Sequence, residues 1–258
     1  MEGSEFKLQL DGNIIKGRIF FPAPKRGKKR GVVILCHGIP GARRKSGDPG
    51  YPHLAEILSE VGFASVVFNF RGAGESTGNF DIMGWVHDLR EVLNYAGSAL
   101  PSLSRLVLFG FSAGGAVSVY VSRNDPRVTD LILCGCPANF DSILSENTSD
   151  DFLQHARNIG IIKDPSFPSN KSRWKNNFKA VQPEQWISQI RSTPKLILHG
   201  DNDDVVPVEH AYRLYKKACQ PKELIVIKEG GHQLRLNNQA IHAALSWLEN
   251  RKTECERA

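Results

Sequence analysis

Ser112 lies in "GFSAGG" (110–115), directly after the apolar run "RLVLFG" (105–110). Gly110-Phe111-Ser112-Ala113-Gly114 fits G-x-S-x-G, the pattern of a sharp strand-to-helix turn. Such a turn strains the serine backbone, raises Oγ above the sheet and needs small neighbours so that strand and helix can pass closely. A serine hydroxyl is a poor nucleophile until a base takes its proton, and the base needs a carboxylate to orient it. Two later stretches bring such groups just past strand-like runs. "LILHGDNDDVVP" (196–207) holds Asp201, Asp203 and Asp204, and "KEGGHQL" (228–234) holds His232. The order serine, acid, histidine is the one this scaffold uses, so His232 is the expected base. Acyl transfer also places negative charge on a carbonyl oxygen, which preorganised backbone N–H groups stabilise. Ala113 supplies one from the start of its helix, and Ile39 in "LCHGIPG" (35–41) is the expected second donor.

These residues need a frame that brings distant strand ends to one rim. Strands are expected at 14–22, the first of them antiparallel, and at 31–38, 64–70, 105–110, 131–135, 195–200 and 223–230. Helices are expected at about 51–61, 81–97, 113–123, 207–219 and 238–250. Nearly continuous Val/Ile/Leu runs mark strands buried on both faces. Strand–helix alternation then predicts a mostly parallel sheet covered on both sides, with ligands at the carboxyl ends of the strands. From Pro137 to Thr193 no strand signal appears. The segment carries Phe140, Phe152, Phe167, Trp174, Phe178 and Trp186, and it reads as a small, mainly helical insertion over the strand ends. Its aromatics suit either an apolar substrate group or ordinary packing.

Together "HGIPG", "FNFRGAGESTG", "GFSAGG", "HGDNDDVVP" and "GGHQL" resemble, in content and order, the motifs of an α/β-hydrolase from about residue 31 to 250. The resemblance implies the α/β-hydrolase fold, with residues 1–136 and 194–258 as core and 137–193 as lid. It places the triad acid on Asp203, leaving Asp201 to shape the turn and Asp204 to face solvent or cap the next helix. Residues 68–96 are further similar to the small-lidded cinnamoyl and feruloyl esterases, in which such an insertion forms part of the pocket. The activity implied is that of a serine carboxylesterase on small to medium esters, with Ser112, Asp203 and His232 catalytic and Ile39 and Ala113 as oxyanion donors. Amide, thioester or carbon–carbon bond hydrolysis uses the same residues.

Other classes fit less well. A dinucleotide enzyme would need G-x-G-x-x-G, which Gly72, Gly74 and Gly78 do not form. A binding protein that only keeps the fold would not need the complete triad. The net charge of +6 sits partly in "PKRGKKRG" (24–31), read as a solvated hairpin turn, and "ARRKSG" (42–47), where Arg43, Arg44 or Lys45 could reach an anionic group. Neither stretch has the interleaved aromatics of a nucleic-acid surface. Cys134 and Cys136 have no nearby His/Cys partner pair for a metal. No membrane span or signal pattern appears, the opening "MEGSEF" reads as a vector remnant, and an odd number of cysteines fits a disulfide-free cytoplasmic protein. The expected partner is a small-molecule ester, with no cofactor, metal, nucleic acid or membrane. The oligomeric state stays open, a homodimer included. His37 and His199, in H-G turns at strand ends, are expected to bond loop backbone, and Asp81 and His87 have no assigned role.

Overall fold

The computed structural model describes residues 3–22, 30–41, 47–100, 105–144 and 149–251. Their apolar runs form one sheet: β1 (Ser4–Leu10), β2 (Asn13–Phe20), β3 (Gly31–Cys36), β4 (Phe63–Phe68), β5 (Leu106–Phe111), β6 (Asp130–Cys134), β7 (Lys195–Gly200) and β8 (Lys222–Ile227). The strand order is β1-β2-β4-β3-β5-β6-β7-β8. Strands β3 to β8 run parallel, and β1 and β2 are antiparallel to their neighbours. This is the α/β-hydrolase fold.

The helices are α1 (Gly50–Glu60), α2 (Ile82–Ala99), α3 (Ala113–Ser122), α4 (Asp141–Leu144), α5 (Ser149–Asn158), α6 (Lys171–Ala180), α7 (Pro183–Trp186), α8 (Glu209–Lys217) and α9 (Asn238–Asn250). The two-residue strand repeat divides the core in two. Ile34, Leu108, Leu133 and Ile197 pack with residues of α2, α3 and α8, while Leu35, Phe109, Ile132 and Leu198 pack with α1 and α9. Both faces are therefore dry, which is why these strands read as unbroken apolar runs.

Two expectations need correction. β1 falls where no strand was expected, and Phe6, read as the end of a vector remnant, is buried against the core beside Tyr95. The runs flanking the basic stretch are not hairpin partners, because β4 lies between β2 and β3. Residues 24–29 of that stretch and Arg43, Arg44 and Lys45 lie outside the described residues. Cys134 and Cys136 cannot share a metal: Gly135, at φ 57°, turns the chain after β6, and the two thiols enter opposite core layers.

Between β6 and β7 come α4 to α7. Trp174 and Phe178 of α6 pack edge-on to Phe80, and Trp174 Nε1 donates to the Phe80 carbonyl (3.3 Å). Asp81 has a structural task after all: it caps α2 at Met83 N and accepts from Asn177 Nδ2 of α6 (3.1 Å). The exposed His87 only approaches Asp11 (3.7 Å). Arg123, just past α3, lies over the rings of Tyr120 and Trp186, 4.0 and 3.9 Å from their centroids. Most of the segment's aromatics thus serve packing; Phe140 and Phe152 line the large cavity described below. Among the described residues no helix is long and apolar enough to cross a membrane.

Candidate active site

β5 runs into α3 at Ser112, whose φ of 51° and ψ of −125° lie where a residue with a side chain is strained. The turn stays anchored because Ser112 N donates to the Cys134 carbonyl (2.9 Å). The flanking glycines are steric necessities. A Cβ on Gly114 would strike the carbonyls of Cys36 and His37, and one on Gly110 would strike the backbone of Gly115. Helix α3 therefore crosses the end of β3 in backbone contact, which brings the 37–39 turn beside the serine.

The other two side chains arrive from the ends of β7 and β8. These loops meet because Gly200 and Gly230 pack backbone to backbone and Asn202 N donates to the Gly230 carbonyl (3.0 Å). His232 Nε2 then lies 3.1 Å from Ser112 Oγ, and its Nδ1 lies 2.8 Å from Asp203 Oδ2. Asp203 Oδ1 accepts the amides of Val205 (3.0 Å) and Val206 (2.8 Å). Burial alone would raise the pKa of Asp203. The hydrogen bonds from His199, His232 and the Val206 amide outweigh it and hold the carboxyl well below the usual range. Since this carboxylate accepts from Nδ1–H, His232 offers a bare Nε2 to the serine proton. Asp201 is exposed in the turn, and Asp204 is exposed on the cavity rim without capping α8, whose cap residue is Val208.

Both H-G histidines bond backbone. Phe70 N donates to His37 Nε2 (3.0 Å), so His37 carries its proton on Nδ1 and donates to the Gly38 carbonyl (2.7 Å). Burial lowers the His37 pKa to about 4, against a smaller opposing pull from that carbonyl, and the ring is neutral. The Gly38 carbonyl and the Ile39 N–H belong to one trans peptide plane and point in opposite directions. Holding the oxygen toward His37 turns the Ile39 N–H away from that ring. Ile39 and Ala113 both line the cavity that contains Ser112 and His232. His199 Nε2 donates to the Val206 carbonyl (2.7 Å) and approaches Asp203 Oδ2 (3.4 Å), bracing the acid loop.

The cavity is about 1280 Å³, above the roughly 300–1,000 Å³ usual for small-ligand sites. Its wall residues that pattern did not single out include Tyr51, Arg235 and His210. Tyr51, at the start of α1, packs edge-on to Phe111 (5.4 Å) and carries Arg235 over its ring (4.9 Å). Arg235 pairs with Asp48. His210 of α8 accepts the Ala138 amide at Nδ1 (3.0 Å). Only its position seven residues past Asp203 could have drawn attention to His210; Tyr51 and Arg235 carry no motif signal.

The family model described as serine aminopeptidase S33 matches residues 27–186, and the model described as alpha/beta hydrolase fold matches residues 160–238. The Escherichia coli K12 protein YfhR is 27% identical over 238 residues, 90% of this chain and 73% of YfhR. Among solved structures, Est1E from Butyrivibrio proteoclasticus superposes with TM-score 0.71 at 20% identity, over 97% of this chain and 100% of Est1E. One structure of Est1E holds ferulic acid. An alpha-beta serine hydrolase homologue from Coxiella burnetii gives TM-score 0.64 at 25% identity, over 96% of each chain.

Proposed function

From the premise that this chain belongs to the serine aminopeptidase S33 family of α/β-hydrolases, we propose that it is a serine carboxylesterase with Ser112, His232 and Asp203 as its triad. The observation that carries the reading is the unbroken chain of contacts from Ser112 Oγ through both His232 nitrogens to Asp203. His232 Nε2 takes the serine proton as Oγ attacks the ester carbonyl, and then gives it to the leaving alcohol. Asp203 stabilises the imidazolium. The Ile39 and Ala113 amides hold the oxyanion, each such donor lowering the barrier by about 3 kcal/mol. Water, deprotonated by the same imidazole, attacks the acyl-enzyme and frees the serine. No step calls on a metal or organic cofactor.

The segment 137–193 acts as a lid over the acyl-binding end, and the substrate is a small-molecule ester. Buried, unpaired Cys36, Cys134 and Cys136 support a reducing, cytoplasmic setting. The family description favours one second reading, cleavage of an aminoacyl amide. Of the cavity carboxylates, Glu5, Glu75 and Asp48 pair with Arg18, Lys16 and Arg235, which leaves Asp204 on the rim as the group that could meet a free amine in that reading. Turnover of p-nitrophenyl butyrate and of aminoacyl p-nitroanilides by wild type and Ser112→Ala tests both. Ester turnover that vanishes in Ser112→Ala, with an unchanged melting temperature, is the expected result. Undiminished turnover in that variant would exclude the mechanism.

A further inference from the structure

The lid-side wall of the cavity combines apolar surface with a hydrogen-bond donor that no group among the described residues uses. Phe140, Phe152 and Val206 give it its apolar character. Asn139 also lines it, but its Nδ2 is spent on Asp141 (2.7 Å) and Glu184 (3.3 Å). His210 differs. The Ala138 amide donates to its Nδ1, so that nitrogen carries no hydrogen, the ring is neutral and the proton sits on Nε2. The Nδ1 edge faces Ala138, where the chain leaves Pro137 for the lid, and the half-buried ring contributes to the cavity lining. The described residues provide no acceptor for Nε2–H. Burial, then the nearby Arg213 and His199, lower the basicity of the ring and keep it uncharged.

Resting on the esterase reading above, we infer that His210 is a specificity-determining residue whose Nε2–H binds an uncharged oxygen on the apolar part of the substrate. The substrate class is then an ester whose acyl chain carries a keto or ether oxygen, in preference to a plain hydrocarbon chain. A neutral donor gives an anionic oxygen no matching charge, the Asp204 carboxylate on the same rim repels one, and burying an unpaired charge is costly.

The test uses p-nitrophenyl 3-, 4- and 5-oxohexanoates beside isosteres in which a methyl-bearing carbon replaces the carbonyl. For at least one position, wild type should favour the oxo ester about three- to tenfold in kcat/KM, mainly through KM, the range of one neutral hydrogen bond. His210→Phe should remove the preference. His210→Gln, whose amide can accept from Ala138 and still donate, should retain much of it. Equal kcat/KM for every pair in wild type, or a preference that survives in His210→Phe, overturns the inference while leaving the esterase reading intact. If wild type hydrolyses none of these esters and no p-nitrophenyl butyrate, both fall together.

Discussion

Asp203→Asn isolates the work of the proposed triad acid, because its surroundings dictate how the amide must sit. Oδ1 of Asp203 accepts two backbone amides, from Val205 and Val206. An asparagine that kept these bonds would place its carbonyl oxygen there and its NH2 where Oδ2 now meets His232 Nδ1. The flipped rotamer would set NH2 against both N–H groups, one of them buried, forfeiting two hydrogen bonds at a cost of about 2 kcal/mol or more. At about 1.4 kcal/mol per factor of ten, only a few per cent of molecules would adopt it. In the favoured rotamer the amide donates to Nδ1, forcing the proton of His232 onto Nε2. That nitrogen can no longer accept from Ser112, and no carboxylate stabilises the imidazolium. The expected loss is about 10⁴ in kcat, with little change in KM. In free energy this is about 5 to 6 kcal/mol. Initial rates on p-nitrophenyl butyrate, beside a melting curve showing the variant folded, make the measurement. A folded Asp203→Asn protein within about tenfold of the wild-type kcat would refute the assignment of Asp203 and the tautomer argument with it.

Ser112→Gly should be inactive yet more stable by roughly 1–2 kcal/mol, because only glycine tolerates φ 51° freely. At this chain length calorimetry should register a melting temperature higher by a few degrees. Gly114→Ala should destabilise by about 1–3 kcal/mol or more, since the new methyl meets two carbonyl oxygens that belong to the sheet and its turn. A urea midpoint equal to wild type would contradict that packing. Buried His37 titrates near 4 in the fold against 6.5 for an ordinary histidine, so the unfolded chain takes up its proton first. Its contribution to stability, about 3 kcal/mol, is whole above pH 6.5 and drains away as pH falls toward 4. Melting temperatures measured from pH 7 to 4.5 should fall accordingly, and a flat profile would count against the buried neutral ring.

Much of the architecture could be read from local pattern. Strands buried on both faces advertise themselves as runs such as "GVVILC" and "KLILHG", and the expected helix at 238–250 coincides with α9. β1 escaped because its alternation of Phe6, Leu8 and Leu10 with polar residues is short and opens the chain. The false hairpin between β2 and β3 has a different origin. Neighbourhood along the chain says nothing about a later strand, β4, sliding between them.

The chemistry divides along the same line. Residue types and their order sufficed to nominate Ser112, His232 and a nearby aspartate, because a nucleophile elbow leaves a glycine signature that steric contact enforces locally. The family resemblance put the acid on Asp203, where residue type alone left Asp201 and Asp204 open; which tautomer and which cavity wall are matters of distance between segments far apart in sequence. Asp203 differs from Asp204 only in that its carboxylate turns inward to two amides and two imidazoles. His37 holds the Gly38 carbonyl, and His210 presents its donor, through bonds to Phe70 and Ala138. Those bonds exist only once the sheet has brought its strand ends to a common rim, since hydrogen-bond reach is a property of packed space and not of spacing along the chain.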